Sequence, residues 1–134
     1  METLINRTIE KQIEERLFKG KAIILYGARQ TGKTTIVKQI QKKYLDIAVY
    51  YNFDEPDIRK EFEDATSDYL RKIIGNKKII IFDEAQRVKN IGITLKLIVD
   101  NFKDIQVIAT GSSSFDLSNV TEESLTGRKY EFYV

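Results

Sequence analysis

No cysteine and no histidine occur among the 134 residues. Without thiols there is no disulfide framework and no thiolate metal site. Without imidazole there is no histidine ligand or base. The usual zinc sites and Ser-His or Cys-His chemistry are thereby excluded. Any metal has to be held by oxygen ligands, which suits magnesium. No apolar run approaches the roughly 18 residues that a membrane span needs. The N-terminus, residues 1–7 (METLINR), lacks the basic-then-apolar layout of a secretory signal. The expectation is a cytoplasmic protein with no membrane partner. An excess of one charge is also lacking, since the formal net charge is only +2. That balance hides an asymmetry: residues 1–43 hold ten Lys/Arg against four Asp/Glu, and residues 44–134 hold twelve against sixteen. A basic front half is compatible with nucleic acid, but a phosphate site or an ordinary solvated helix surface produces the same excess.

Apolar residues at 42% and charged residues at 31% are ordinary for a globular domain. The length implies one domain spanning 1–134, short for a complete motor or enzyme. Ile5, Ile9, Ile13 and Leu17 recur every fourth residue, predicting an amphipathic helix that ends near Gly20 and packs into the core. Residues 22–26 form a continuous apolar run that stops at Gly27, as in a strand covered on both faces. Ile36, Val37, Ile40 and Tyr44 continue as a helix to about Lys43. A second strand is predicted over 47–53. Pro56, the single proline, suits the first position of a helix carrying Ile58, Phe62, Ala65, Tyr69 and Ile73 and closed by Gly75 and Asn76. A third strand covers 79–82, a helix 91–102, a fourth strand 105–109, and a fifth 129–134, after a polar stretch from 112 to 127. Alternating strands and helices predict an α/β fold: a mostly parallel five-stranded sheet with helices on both faces, three layers in all.

In such a sheet, ligands bind beyond the carboxyl ends of the strands. Three chemically rich segments, 27–34, 83–84 and 110–113, lie just after predicted strands. Gly27, Ala28, Arg29, Gln30, Thr31, Gly32, Lys33 and Thr34 match G-x-x-x-x-G-K-[ST] between a buried strand and an amphipathic helix, the context that a phosphate-binding P-loop requires. The glycines allow a tight turn whose N–H groups face phosphate oxygens, and the helix starting near Lys33 adds its N-terminal partial charge. Lys33 is expected to reach the β- and γ-phosphates, and the Thr34 hydroxyl to ligate magnesium. Asp83, at the end of the run Ile79-Ile80-Ile81-Phe82, is costly to bury without a partner, and bound magnesium supplies one. Glu84 then sits where a water could be aligned against the γ-phosphate. Ser112, with Ser113 close behind, is the candidate sensor of that phosphate in the Thr110-Gly111-Ser112-Ser113-Ser114 turn. Arg29 and Arg128 are the arginines near the expected site, and Arg128 could act in the same chain or toward a neighbouring one.

Residues 27–35 (GARQTGKTT), 82–86 (FDEAQ), 110–114 (TGSSS) and 123–128 (ESLTGR) occur in that order. Together they resemble the AAA-type ATPase domain that opens a large family of bacterial and archaeal ATP-binding proteins. The resemblance implies a P-loop NTPase that binds ATP and magnesium through residues 27–35, Thr35 included, and Asp83. It further implies that Glu84 activates water, that the Ser112 region senses nucleotide, and that Arg128 belongs to a Gly-Arg motif facing the nucleotide. Family members are longer, so the expectation is a fragment lacking the lid and a C-terminal domain, with weak turnover of its own. Oligomerisation or protein partners would engage through those missing regions.

The leading expectation is therefore Mg-ATP binding and hydrolysis coupled to conformational change. A nucleotide-dependent signalling switch without turnover needs the same loop and stands as the alternative. A phosphotransferase is less favoured, because no arginine-rich lid is visible and the Asp83-Glu84 pair favours water as acceptor. Asn76-Lys77-Lys78 lacks the aspartate of the guanine-reading Asn-Lys-x-Asp motif and precedes a strand instead of following one, which disfavours GTP.

Overall fold

The computed structural model describes residues 4–28, 32–112 and 125–134. The chain runs α1 (Leu4–Glu15), β1 (Ala22–Tyr26), α2 (Lys33–Lys43), β2 (Ala48–Asn52), α3 (Pro56–Phe62), α4 (Ser67–Ile74), β3 (Ile79–Asp83), α5 (Ile91–Asn101), β4 (Gln106–Gly111) and β5 (Lys129–Tyr133). A 3-10 turn, Ala85–Arg87, follows β3. The strands form one sheet in the order β2-β3-β4-β1-β5, with every pairing parallel.

Period-two alternation divides the strand side chains between two cores. Ile23 and Leu25, Ile79 and Ile81, and Ile108 face the side covered by α1 and α2, where they meet Ile9, Ile13, Ile36, Val37 and Ile40. Ile24 and Tyr26, Ile80 and Phe82, and Val107 and Ala109 face the other side, against Phe62, Leu70, Ile74, Leu95 and Ile98 of α3, α4 and α5. This is the expected three-layer α/β sandwich. The three central strands are covered on both faces, so they read in the sequence as unbroken apolar runs.

The predicted single helix over 56–73 is two helices. Glu63 leaves helical geometry with ψ near 123°, and Asp64 adopts a left-handed φ of 52°. Thr66 then caps α4 by accepting a hydrogen bond from Tyr69 N–H. The break lets Phe62 turn inward onto Tyr51, Phe53 and Phe82, with ring centroids 4.8, 5.2 and 5.2 Å away. Burial of that ring outweighs the intrinsic preference for a continuous helix.

The first helix also ends earlier than expected, at Glu15 rather than near Gly20. Phe18 takes a φ of 61°, and its N–H donates to Oε1 of Gln106 at 2.7 Å. The same buried amide donates to the Lys21 and Val107 carbonyls, tying the α1–β1 connection to the start of β4. The start of α1 meets the start of α2, because Asn6 lies against Gly32. Farther along, Lys43 pairs with Glu10 at 3.0 Å and Glu14 at 3.1 Å. Hydrogen bonds to those carboxylates raise the Lys43 pKa to about 12. The two helices therefore lie side by side and run the same way.

Candidate functional site

β1 ends at Tyr26, β3 at Asp83 and β4 at Gly111, all at one edge of the sheet. β4 separates β1 from β3, so the segment after β4 is held between the other two. Gly27 N–H donates to the Gly111 carbonyl at 3.2 Å, which docks the start of the glycine-rich loop on the end of β4. Arg29, Gln30 and Thr31 lie outside the described residues, as do Ser113 and Ser114.

Gly32 precedes α2 with a φ of 100°, in the left-handed region that favours glycine. A Cβ at this position would collide with the Asn6 side-chain amide. Gly32→Ala is therefore expected to cost about 1–3 kcal/mol through strain and the displaced amide. Urea unfolding measures this, and the Gly32→Ala/Asn6→Ala pair should recover the collision part but not the strain.

The Lys33 side chain is almost fully buried. Its ammonium lies 3.3 Å from the Ala28 carbonyl and 3.5 Å from Oε2 of Glu84. Thr34 Oγ1 donates to Asp83 Oδ2 at 3.0 Å, and Thr35 is exposed on the first turn of α2. Asp83 takes two further hydroxyls. Thr110 donates to Oδ1 at 2.5 Å, and Tyr50 donates to Oδ2. The Tyr50 hydroxyl is pushed above its ordinary range by burial first, then by the hydrogen bond and charge of Asp83, so it stays protonated and a donor.

Glu84 is buried and occupies a left-handed conformation, φ 60° and ψ 48°, which is uncommon for a residue with a Cβ. Two bonds hold it there. Its N–H donates to Thr110 Oγ1 at 3.0 Å, and its carbonyl accepts from Arg87 N–H at 3.2 Å. On the side chain, Gln86 Nε2 donates to Oε1 at 2.9 Å and also to Ser112 Oγ at 3.1 Å. Burial pushes the Glu84 carboxyl up, but hydrogen bonds from Gln86 and Ser112 and the charge of Lys33 outweigh it. The net effect holds the group below its usual value, leaving an ionised acceptor at neutral pH.

Gly27, Gly32, Lys33, Thr34, Asp83, Glu84 and Ser112 are thus brought to one edge. Arg128 is not. Ala22 pairs with Lys129, and Ala22 N–H donates to the Arg128 carbonyl at 3.0 Å. Arg128 therefore sits at the start of the strands, about 20 Å from the loop at ~3.3 Å per strand residue, and its guanidinium pairs with Asp100 near the end of α5. The expectation that it faces this chain's own nucleotide site is not met, because parallel pairing carries β5 away from that edge. Four residues at the site were given no role in the sequence reading: Asn6, Tyr50, Gln86 and Thr110. Only Gln86 and Thr110 carried a signal, as members of the segments 82–86 and 110–114.

The donor set suits a phosphate chain with a hard cation. A lysine and a helix N-terminus offer positive charge, while the Thr34 hydroxyl and Asp83 carboxylate offer adjacent oxygens. Among the described residues no group of three or more Asp/Glu forms a self-sufficient metal cage.

An uncharacterized protein of Methanocaldococcus jannaschii is 32% identical over 125 residues, covering 91% of this chain and 28% of its own length. The chain spans about a quarter of the length of the curated relatives it matches. Among solved structures, a Walker-type ATPase of Pyrococcus abyssi superposes with a TM-score of 0.65 at 16% identity, covering 95% of this chain and 53% of that one. A chain from the Drosophila ORC bound to DNA gives 0.64 at 12% identity, covering 96% and 90%. At such identities the likeness shows the fold alone. Among the described residues no helix is long and apolar enough to cross a membrane. The AAA_14 family model, an AAA domain, matches residues 19–134, and the chain belongs to that family of nucleotide-binding P-loop domains.

Proposed function

We propose that this domain binds Mg-ATP at the edge formed by β1, β3 and β4 and hydrolyses it, coupling nucleotide state to conformational change elsewhere in a longer protein. One observation carries the reading: the buried pair Lys33–Glu84 and the contact of exposed Thr34 with buried Asp83 converge beside a glycine-rich loop at a helix N-terminus. Neither carboxylate is explained by fold stability alone, because burying charge at a strand end is costly. Residues 27–35 wrap the triphosphate, with Lys33 on its β- and γ-phosphates. Thr34 and Asp83 hold magnesium, which when bound neutralises charge developing on the phosphate oxygens. Glu84 orients a water whose oxygen bonds to the terminal phosphorus as the bond to the bridging oxygen of ADP breaks. The water's proton passes toward the Glu84 carboxylate, and Ser112 contacts the terminal phosphate.

Arg128 takes no part at the site of its own chain; any nucleotide it meets belongs to a neighbouring copy. Arg128→Ala should therefore leave Mg-ATP affinity within about twofold of wild type. A tenfold loss in the monomeric chain would put the residue back in the site. The reading as a whole is tested by titrating a fluorescent ATP analogue with and without magnesium, and by following phosphate release. Saturable, magnesium-strengthened binding with multiple-turnover release supports it. Binding without release by a full-length relative would leave a nucleotide switch.

A further inference from the structure

We infer that Gln86 is a positioning residue that couples Ser112 to Glu84, so that the carboxylate is set for its water only while Ser112 is in place. The inference deepens the proposed hydrolysis and rests on Glu84 being the water-orienting group. The geometry supporting it is a bridge from one amide to both groups. Gln86 Nε2 donates to Glu84 Oε1 at 2.9 Å and to Ser112 Oγ at 3.1 Å. The amide orientation is determined, since a flip would turn an oxygen toward a carboxylate that can only accept. Both amide hydrogens are thereby committed. Among the described residues Gln86 Oε1 is buried without a hydrogen-bond partner, a cost that a merely space-filling residue would not carry.

The two oxygens of Glu84 have different holders. Oε2 faces the Lys33 ammonium at 3.5 Å, and Oε1 is held by Gln86. A triphosphate on the glycine-rich loop competes for Lys33, because its oxygens are stronger acceptors for the ammonium than a shared carboxylate at that range. Once Lys33 turns to phosphate, Oε2 is released toward water. The bridge to Gln86 and Ser112 is then what keeps the carboxylate from swinging away. Ser112 follows the last residue of β4, which is bonded to the loop through Gly27. Movement of the loop or the terminal phosphate thus reaches Glu84 through one amide. The 3-10 turn supplies the rigidity, with Ala85 fully buried and Val88 N–H donating to its carbonyl at 3.1 Å.

The test uses Gln86→Met, which keeps volume but removes both hydrogen bonds, alongside Gln86→Ala, Ser112→Ala, Glu84→Gln and the Gln86→Met/Ser112→Ala double variant. With the melting temperature unchanged, Gln86→Met should lower kcat at least about tenfold with KM within about twofold, the signature of an interaction that matters in the transition state. Ser112→Ala should then cost less than about twofold more in the Gln86→Met background, because coupled residues are not additive. Additive losses, or wild-type kcat in a folded Gln86→Met chain, overturn the coupling. If Glu84→Gln abolishes turnover while Gln86→Met does not alter it, the proposed function stands and the inference alone fails. If Glu84→Gln turns over normally, the reading of Glu84 fails and takes the inference with it. Should the wild-type chain show no turnover, the ratio of affinities for a non-hydrolysable ATP analogue and ADP provides the same cycle. Either single variant is then expected to lower that ratio about fivefold with no further loss in the double, and additive losses overturn the proposal.

Discussion

Glu84→Gln is expected to leave Mg-ATP bound with near wild-type affinity while turnover falls by about 10²–10⁴, the range for removing a positioned base. The substitution keeps shape and an acceptor oxygen for Gln86, so the local packing survives. It removes the charge that draws a proton from water. It also removes the partner of Lys33 in the nucleotide-free protein, which frees the ammonium for phosphate. ATP affinity should therefore stay level or rise, never fall. Single-turnover phosphate release on saturated protein separates the two effects. Unchanged release would exclude Glu84 from the chemistry, and a large loss of affinity would mean that the carboxylate maintains the loop instead.

Lys33→Ala is expected to weaken Mg-ATP binding at least about a hundredfold, or about 2.7 kcal/mol, through the lost charge-assisted contact. The same change has a consequence without nucleotide. Glu84 is buried and ionised, so deleting Lys33 leaves it short of a counter-charge, expected to cost about 1–3 kcal/mol of stability. The Lys33→Ala/Glu84→Gln pair should recover much of that stability but none of the affinity. Urea unfolding and nucleotide titration on the same four proteins measure both. A stability loss identical in both backgrounds would mean that the 3.5 Å pair contributes nothing in the resting protein.

Several particulars were legible before any tertiary contact. The apolar runs at 22–26 and 79–82 announced buried parallel strands because strands covered on both faces cannot alternate in polarity. The glycine-rich loop was legible because its chemistry is local: backbone curvature, a helix start and a lysine at fixed spacing. Asp83 and Glu84 followed from an acid ending an apolar strand. The break between α3 and α4 was missed. The helical spacing of apolar residues continues across it, and the decision was made by Phe62 finding an aromatic pocket on β2 and β3.

Residue order alone sets the local devices and their succession: a glycine-rich loop, an acidic strand end, a glycine-serine turn and the periodicities that make an α/β sandwich. Which of them meet is a matter of long-range packing. Strand order is set by long-range pairing, and with β4 between β1 and β3 the Ser112 end is held between the loop and Glu84. Tyr50 reaches Asp83 from a neighbouring strand, and Asn6 reaches Gly32 from the first helix. Neither contact has a signature in residue spacing, because each depends on side chains far apart in the chain. Arg128 shows the converse. Its motif suggested nucleotide, yet the parallel register of β5 with β1 puts it at the opposite end of the strands, since direction and register are properties of the sheet and not of the segment.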